Sequence, residues 1–114
     1  LIRNNNMDNN MEMTEMMVQI ENFIIYIQSQ MVFQRIFNLN ISLYAQILLR
    51  TNKRKHITAY DLFRKRIIEE GHLINVTDRK IINLSTNKIW INLSPAEKGV
   101  FHNYAIQLRS IIEC

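Results

Sequence analysis

Turn-forming residues and thiols are scarce in this chain of 114 residues. It has one proline and two glycines, which argues against sandwiches and barrels, because those folds use such residues in their many turns. The single cysteine, Cys114, has no second thiol with which to form an internal disulfide or a cysteine-based metal site. We therefore expect a small helical protein of a reducing compartment, either the nucleus or the cytoplasm.

Long apolar runs and catalytic patterns are also lacking. The longest apolar run covers residues 23–27, far short of the roughly 20 residues that cross a bilayer, and the N-terminus has no basic and apolar signal region. The histidines His56, His72 and His102 are scattered, and no glycine-rich phosphate loop or metalloprotease motif is present. We expect a soluble protein that is not an enzyme and uses neither metal nor cofactor. The adjacent Glu69 and Glu70 are interpreted as a solvated helix face.

The charge is divided unevenly along the chain. Two basic and four acidic residues precede Arg50, a net charge of −2, whereas twelve basic and six acidic residues from Arg50 onward give +6. A polyanionic partner would therefore be met by the second half. The basic run from Arg50 to Lys55 is also compatible with a nuclear localisation signal.

The first half contains two different stretches. Residues 1–15 are polar and rich in Asn and Met, and we expect a disordered lead-in there. Residues 16–49 are apolar with a partly helical spacing, which favours helices with a break near Asn38, although strands stay possible. Such a segment is typical of a core or a partner-binding face. A membrane-surface helix is disfavoured because its polar positions carry Gln and Asn instead of Lys and Arg.

Three helix starts follow in the second half, residues 50–114, which we take as one domain. Thr58 is a capping residue for a helix from 59 to about 71, and Thr77 or Asp78 caps a second helix that runs to about 93. The third start is the clearest, because Ser94-Pro95-Ala96-Glu97 forms a capping box with a proline at the first helical position. Three aromatic residues are predicted to pack in the core of this unit: Phe63, Trp90 and Phe101.

These blocks resemble the HMG-box family. Ala59-Tyr60-Asp61-Leu62-Phe63-Arg64-Lys65 resembles the opening of the family's first helix, Ile82-Asn83 resembles a dipeptide of its second helix, and Trp90-Ile91-Asn92-Leu93-Ser94-Pro95-Ala96-Glu97-Lys98 is similar to its Trp-x-x-Leu-[Ser/Thr]-x-x-Glu-Lys signature. The resemblance covers roughly residues 53–112. It is closest in character to the sequence-specific branch that includes fungal mating-type proteins.

The resemblance implies an all-α, L-shaped, three-helix fold preceded by a basic extended arm. It implies a nuclear transcription regulator of the mating-type kind that binds double-stranded DNA in the minor groove and bends it. Carried over by position, the DNA-binding residues would be Lys53, Arg54 and Lys55 on the arm, Thr58 at the cap of the first helix, Tyr60, Asp61, Arg64 and Lys65 on that helix, and Asn83 on the second.

The sequence departs from the family pattern at several of these positions. Thr58 replaces the usual Asn and His56 replaces a common Pro, while Asn87 stands where the family often has Gly. Asp61 occupies the place of the apolar wedge, where a carboxylate would repel the DNA phosphates. Tyr60 is a partial substitute for the wedge, and we expect weaker bending than in a typical box. The alternative is a protein-interaction module with weak, non-specific DNA binding, with a possible protein partner at residues 16–49.

Overall fold

The computed structural model describes residues 2–51 and 57–113, with side chains described from Met13 onward. Six helices and no strand occur within these ranges, which confirms the all-α prediction. Their bounds are α1 Ile2–Ile27, α2 Gln30–Ile36, α3 Ile41–Thr51, α4 Ala59–Leu73, α5 Arg79–Asn92 and α6 Pro95–Ile112. The break between α2 and α3 lies at the predicted place near Asn38, whereas the break between α1 and α2 was not predicted.

The three C-terminal helices begin where the sequence predicts. The Thr58 hydroxyl accepts a hydrogen bond from the backbone N–H of Asp61, and the Asp78 carboxylate accepts from the first turn of α5. Ser94 and Glu97 form the reciprocal capping box at the start of α6. Each cap satisfies backbone donors that have no partner inside the helix, which fixes where the helix begins.

Two regions differ from the sequence-based expectation. Helix α1 starts at Ile2, although disorder was expected over residues 1–15. No glycine or proline interrupts the chain before position 71, so no residue of that type ends the helix between Ile2 and Ile27. The prediction that the basic run from Arg50 is extended is wrong for Arg50 and Thr51, because both residues belong to the last turn of α3. The Thr51 hydroxyl donates back to the Ile47 carbonyl and extends that turn.

One apolar core joins the two halves of the chain. Helix α4 lies at its centre, between α5 and α6; α1 packs on α5, α2 packs on α4, and α3 lies along α6. Buried residues of α1, α2 and α3 belong to the same cluster as those of α4, α5 and α6: Phe23, Ile27, Val32, Ile36 and Ala45. The apolar side chains of segment 16–49 therefore pack into the same core as those of α4, α5 and α6.

Aromatic rings fill the middle of this core. Phe63 and Phe101 are fully buried and meet edge to face with centroids 5.3 Å apart. Phe37 packs on Phe101 at 5.1 Å, and Trp90, which is half-buried, packs on Phe63 at 5.4 Å. The loop that carries Phe37 is held by Tyr104 of α6, whose hydroxyl donates to the Phe37 carbonyl at 2.6 Å.

An ion pair between a partly exposed guanidinium and a buried carboxylate fastens α1 and α2 to α4. The Arg35 guanidinium of α2 donates to both carboxylate oxygens of Glu70, at 2.7 and 2.6 Å, and the Tyr26 hydroxyl of α1 donates to the same carboxylate at 3.2 Å. Glu70 is only 2% exposed, so its assignment to a solvated helix face is wrong. The hydrogen bonds from Arg35 hold the pKa of Glu70 below its ordinary value, although burial opposes them.

The turn between α4 and α5 is tight. Gly71 lies so close to it that an added Cβ would come within 2.5 Å of the Val76 carbonyl oxygen. The Val76 N–H donates to the Gly71 carbonyl at 2.8 Å. Asn75 has φ = 61°, a left-handed conformation that asparagine tolerates better than most residues. This turn makes α4 and α5 antiparallel neighbours. Polar side chains of the two helices, which the next subsection describes, therefore lie on the same face of the pair.

Candidate nucleic-acid interface

Two hydrogen bonds connect α4 to α5 on one open face of the pair. The Tyr60 hydroxyl donates to Oδ1 of Asn87, and Nε of Arg64 donates to Oδ1 of Asn83 at 2.8 Å. Tyr60 and Arg64 are four residues apart on α4, as are Asn83 and Asn87 on α5, so each pair shares one side of its helix. We call the surface formed by these four residues the α4–α5 face.

An aromatic pair continues this face toward α6. The Tyr60 ring meets Trp90 edge to face, with centroids 5.8 Å apart, and Lys98 places its ammonium 5.8 Å from the Trp90 ring centre. Burial raises the pKa of Tyr60 above its ordinary value, so the hydroxyl stays protonated at neutral pH and acts as a donor. Because Trp90 is the chain's single tryptophan, its fluorescence reports on this face.

At its other end the face opens into a cation-lined cleft of about 240 Å³. Two guanidinium groups border it, from Arg64 on α4 and Arg79 on α5, and the other lining residues are Ile68, His72, Thr77 and Ile82. Neither arginine forms an ion pair with any residue that the structure describes. Guanidinium groups without an ion-pair partner, beside a concave surface, are suited to an anion such as phosphate or carboxylate, which they bind through paired hydrogen bonds.

The acidic N-terminal helix does not cover this face. Helix α1 borders α5 at Ile81, which lines a second, larger cavity of about 420 Å³ together with Phe23. Asn83 follows Ile81 by two positions, a rotation of roughly 200° around a helix with about 3.6 residues per turn. Asn83 therefore projects from the opposite side of α5. The larger cavity has Asp78 as its ionisable lining residue and no cation, so it does not suit an anion.

The residues expected to contact DNA are distributed unevenly in the structure. Tyr60, Arg64 and Asn83 lie together on the α4–α5 face. Thr58 is the N-cap residue directly before α4, and Asp61 lies in the first turn of α4 with its side chain exposed. Lys65 is also exposed, but its ammonium lies 5.5 Å from the Tyr44 ring centre of α3, away from Asn83. Three expected residues lie outside the described ranges: Lys53, Arg54 and Lys55.

Two residues of the candidate site, Asn87 on the α4–α5 face and Arg79 in the cleft, were not predicted as contact residues from the sequence. Asn87 was noted only as a departure from the family pattern, yet it is the partner of Tyr60. Its position four residues after Asn83 was a usable signal. Arg79 was not considered at all, although a residue directly after the helix cap Asp78 is expected to be exposed at a helix start.

Comparison with known proteins adds no relative: no protein-family model, curated protein or solved structure matches the chain. Two general tests were also negative over the described part of the chain. It contains no group of three His, Cys, Asp or Glu residues placed to hold a metal ion. None of its helices combines the length and apolar character that a membrane span requires.

Proposed function

We propose that this chain binds double-stranded DNA in the minor groove through the α4–α5 face, as an HMG-box type regulator of transcription in the nucleus, of the mating-type kind. The observation that carries the proposal is the α4–α5 face itself. Hydrogen-bonded polar side chains of two helices meet there, beside the guanidinium groups of Arg64 and Arg79, which form no ion pair with a described residue. The net charge of +6 in the second half agrees with a polyanionic partner.

The proposal assigns the last three helices to the two arms that the family resemblance implies. Helices α4 and α5 would form one arm of the L, and α6 would form the other. In the family an extended arm lies along the third helix, whereas here α3 packs along α6. We propose that Lys53, Arg54 and Lys55, which the resemblance assigns to the basic arm, also contact the DNA.

Phosphate contact would be made in the cleft between the two arginines. Such contacts supply affinity and orient the protein, and each phosphate neutralised releases counterions. The cleft lies at one end of the α4–α5 face. A duplex lying along α4 and α5 would therefore place its phosphate backbone in the cleft. Asp61 opposes this attraction from the first turn of α4, and we expect only modest bending for that reason.

A salt titration of DNA binding tests the proposal. We suggest fluorescence anisotropy of a labelled AT-rich duplex, repeated with Arg79→Ala and with Lys88→Ala as the matched control. Both residues are exposed on α5 and each substitution removes one positive charge, but only Arg79 lines the cleft. We expect Arg79→Ala to reduce the slope of log K against log salt concentration by about 1, and Lys88→Ala to leave it unchanged.

Two results would overturn the proposal. An equal reduction of the salt slope in Arg79→Ala and Lys88→Ala would show that binding depends on total charge alone. The α4–α5 face would then have no special role. An absence of binding to any duplex at low salt would favour the alternative, a protein-interaction module. Residues 16–49 would then be the first place to search for a partner, since Met17, Ile25 and Met31 are exposed there.

A further inference from the structure

We propose that the cavity of about 420 Å³ between α1 and the turn that joins α4 to α5 is a binding site for a small organic cation, in which one ammonium group is attached to an apolar ring. The cavity lies on the side of α5 that is turned away from the α4–α5 face, so the inference does not depend on the proposed DNA binding. It follows from the apolar floor of the cavity, from its polar rim and from the one charge that borders it.

The floor of the cavity is apolar and comes from both halves of the chain. Phe23 of α1 and Ile81 of α5 line it and are only 2% and 7% exposed, so they form its deepest part. Ile74 and Val76 continue this surface along the turn, where Ile74 is 40% exposed. The volume is within the range of small-molecule sites, about 300–1,000 Å³. A ligand with an apolar ring would therefore cover apolar surface that the protein leaves open to water.

Polar side chains surround this floor. Gln19 and Asn22 border it from α1, and Asn75 and Thr77 border it from the turn. None of these four side chains forms a hydrogen bond with a residue that the structure describes. A carboxamide and a hydroxyl can each donate and accept, so the rim can bind polar atoms of a ligand without selecting the sign of its charge.

Asp78 selects the charge of the ligand. It is the one charged residue among the described residues that line the cavity. Its Oδ1 accepts hydrogen bonds from the backbone N–H groups of Lys80 and Ile81, at 2.9 and 3.2 Å, whereas its Oδ2 has no hydrogen-bond partner in the described part of the chain. Capping α5 therefore leaves Oδ2 available to an ammonium group, while an anion would be repelled. The positive end of the α5 dipole offsets part of this charge, so we expect a modest preference.

Three probes of one shape separate the effect of charge from that of apolar contact. Phenethylammonium, 2-phenylethanol and 3-phenylpropionate carry a positive, a neutral and a negative group on the same phenylethyl skeleton at neutral pH. We suggest titrating each into the isotope-labelled chain and following the backbone amide shifts of Asn22, Phe23, Thr77 and Ile81. We expect the cation to bind with a Kd of roughly 0.1–1 mM, about fivefold more tightly than the alcohol. The anion should bind more weakly than the alcohol.

A charge variant tests the contact with the carboxylate. Asp78→Asn removes the charge and keeps a residue that caps a helix about as well as aspartate. It should lower the affinity of the cation to that of the alcohol and leave the alcohol unchanged. Asp61→Asn is the matched control, because Asp61 is exposed in the first turn of α4 and does not line the cavity. It should change neither affinity.

A second pair of variants tests the apolar contact. Ile74→Ala removes apolar surface from the cavity and should weaken the binding of the cation and of the alcohol about threefold. Leu73→Ala is the control at the adjacent position, since Leu73 is 68% exposed and does not line the cavity. It should leave both affinities unchanged.

Several results would overturn the inference, and none of them bears on DNA binding. One is that no probe shifts the cavity amides in the millimolar range, and another is that the cation and the alcohol bind equally. A preference for the cation that survives in Asp78→Asn would also contradict it, as would larger shifts elsewhere in the chain than around the cavity. The comparison of the three probes uses the unaltered chain, so it stands even if a variant fails to fold.

Discussion

Replacing Glu70 with glutamine removes the charge that joins the N-terminal helices to α4. The carboxylate receives two hydrogen bonds from Arg35 and one from Tyr26. In the Glu70→Gln variant one carboxylate oxygen becomes an NH₂ group, which would face the donors of Arg35. The side chain of Glu70 is 3% exposed and that of Arg35 is 44% exposed, so Arg35 would turn toward water while the glutamine stays buried.

The size of the effect lies between two known limits. Removing one partner of a fully buried ion pair costs about 3–5 kcal/mol, and an exposed pair contributes about 0–1 kcal/mol. Since only one partner here is buried, we expect Glu70→Gln to lower the free energy of unfolding by about 2 kcal/mol. With an unfolding entropy typical of a chain of this length, that is a fall in Tm of roughly 8 °C.

The fall in Tm is measured by thermal unfolding monitored with circular dichroism, and Glu69→Gln is the control variant. Glu69 is the adjacent residue and pairs with Arg66 at 3.1 Å, but its side chain is 50% exposed, so its substitution should cost less than about 1 kcal/mol. The reasoning is refuted if Glu70→Gln destabilises the chain no more than Glu69→Gln does.

The same substitution has a predictable pH dependence. Because the folded pKa of Glu70 is lowered, its stabilising effect is fully present above the ordinary carboxyl pKa, about 4.3 in an unfolded chain, and is lost as the pH falls through the folded value. The difference in Tm between wild type and Glu70→Gln should therefore be constant near neutral pH and shrink in acid. A difference that persists unchanged in acid would show that the ion pair is not its cause.

Four further substitutions test other contacts. Gly71→Ala should cost about 1–3 kcal/mol in chemical denaturation, because its Cβ would meet the Val76 carbonyl oxygen at 2.5 Å; a stabilised variant would contradict this. Tyr104→Phe should cost about 1 kcal/mol through loss of its hydrogen bond to the loop before α3, and no change would show that the bond contributes nothing. Ser94→Ala should cost about 1 kcal/mol through loss of the capping box, again measured by denaturation. Asp61→Ile should raise affinity for an AT-rich duplex by roughly fivefold in a mobility-shift assay, by removing a charge repulsion of about 1 kcal/mol; unchanged binding would show that the wedge position was misplaced.

The parts of the fold that could be predicted are those set by local signals. The starts of α4, α5 and α6 follow from Thr58, Asp78 and Ser94, because a cap acts within three residues of itself. The ion pair between Arg35 and Glu70 joins residues 35 positions apart. No local pattern in a single sequence connects two such residues, and for that reason Glu70 was assigned to the surface.

The candidate site was only partly predictable, since Asn87 and Arg79 were not among the expected contact residues. Tyr60, Arg64 and Asn83 were each expected to face DNA, and helical spacing places Tyr60 and Arg64 on one side of α4. The pairing of residues between α4 and α5 depends on the register in which the two helices pack. The tight turn around Gly71 and Val76 determines that register, and the sequence alone does not reveal it.

Mapping backbone amide chemical shifts during titration with a short AT-rich duplex tests the central claim most directly. The measurement needs only the isotope-labelled chain and shows which surface the DNA contacts. We predict that the largest shifts occur at Tyr60, Arg64, Asn83 and Asn87 and around the cleft at Arg79, with small changes along α1. Shifts concentrated on α1 or α3, with the α4–α5 face unchanged, would contradict the proposal that this face binds DNA.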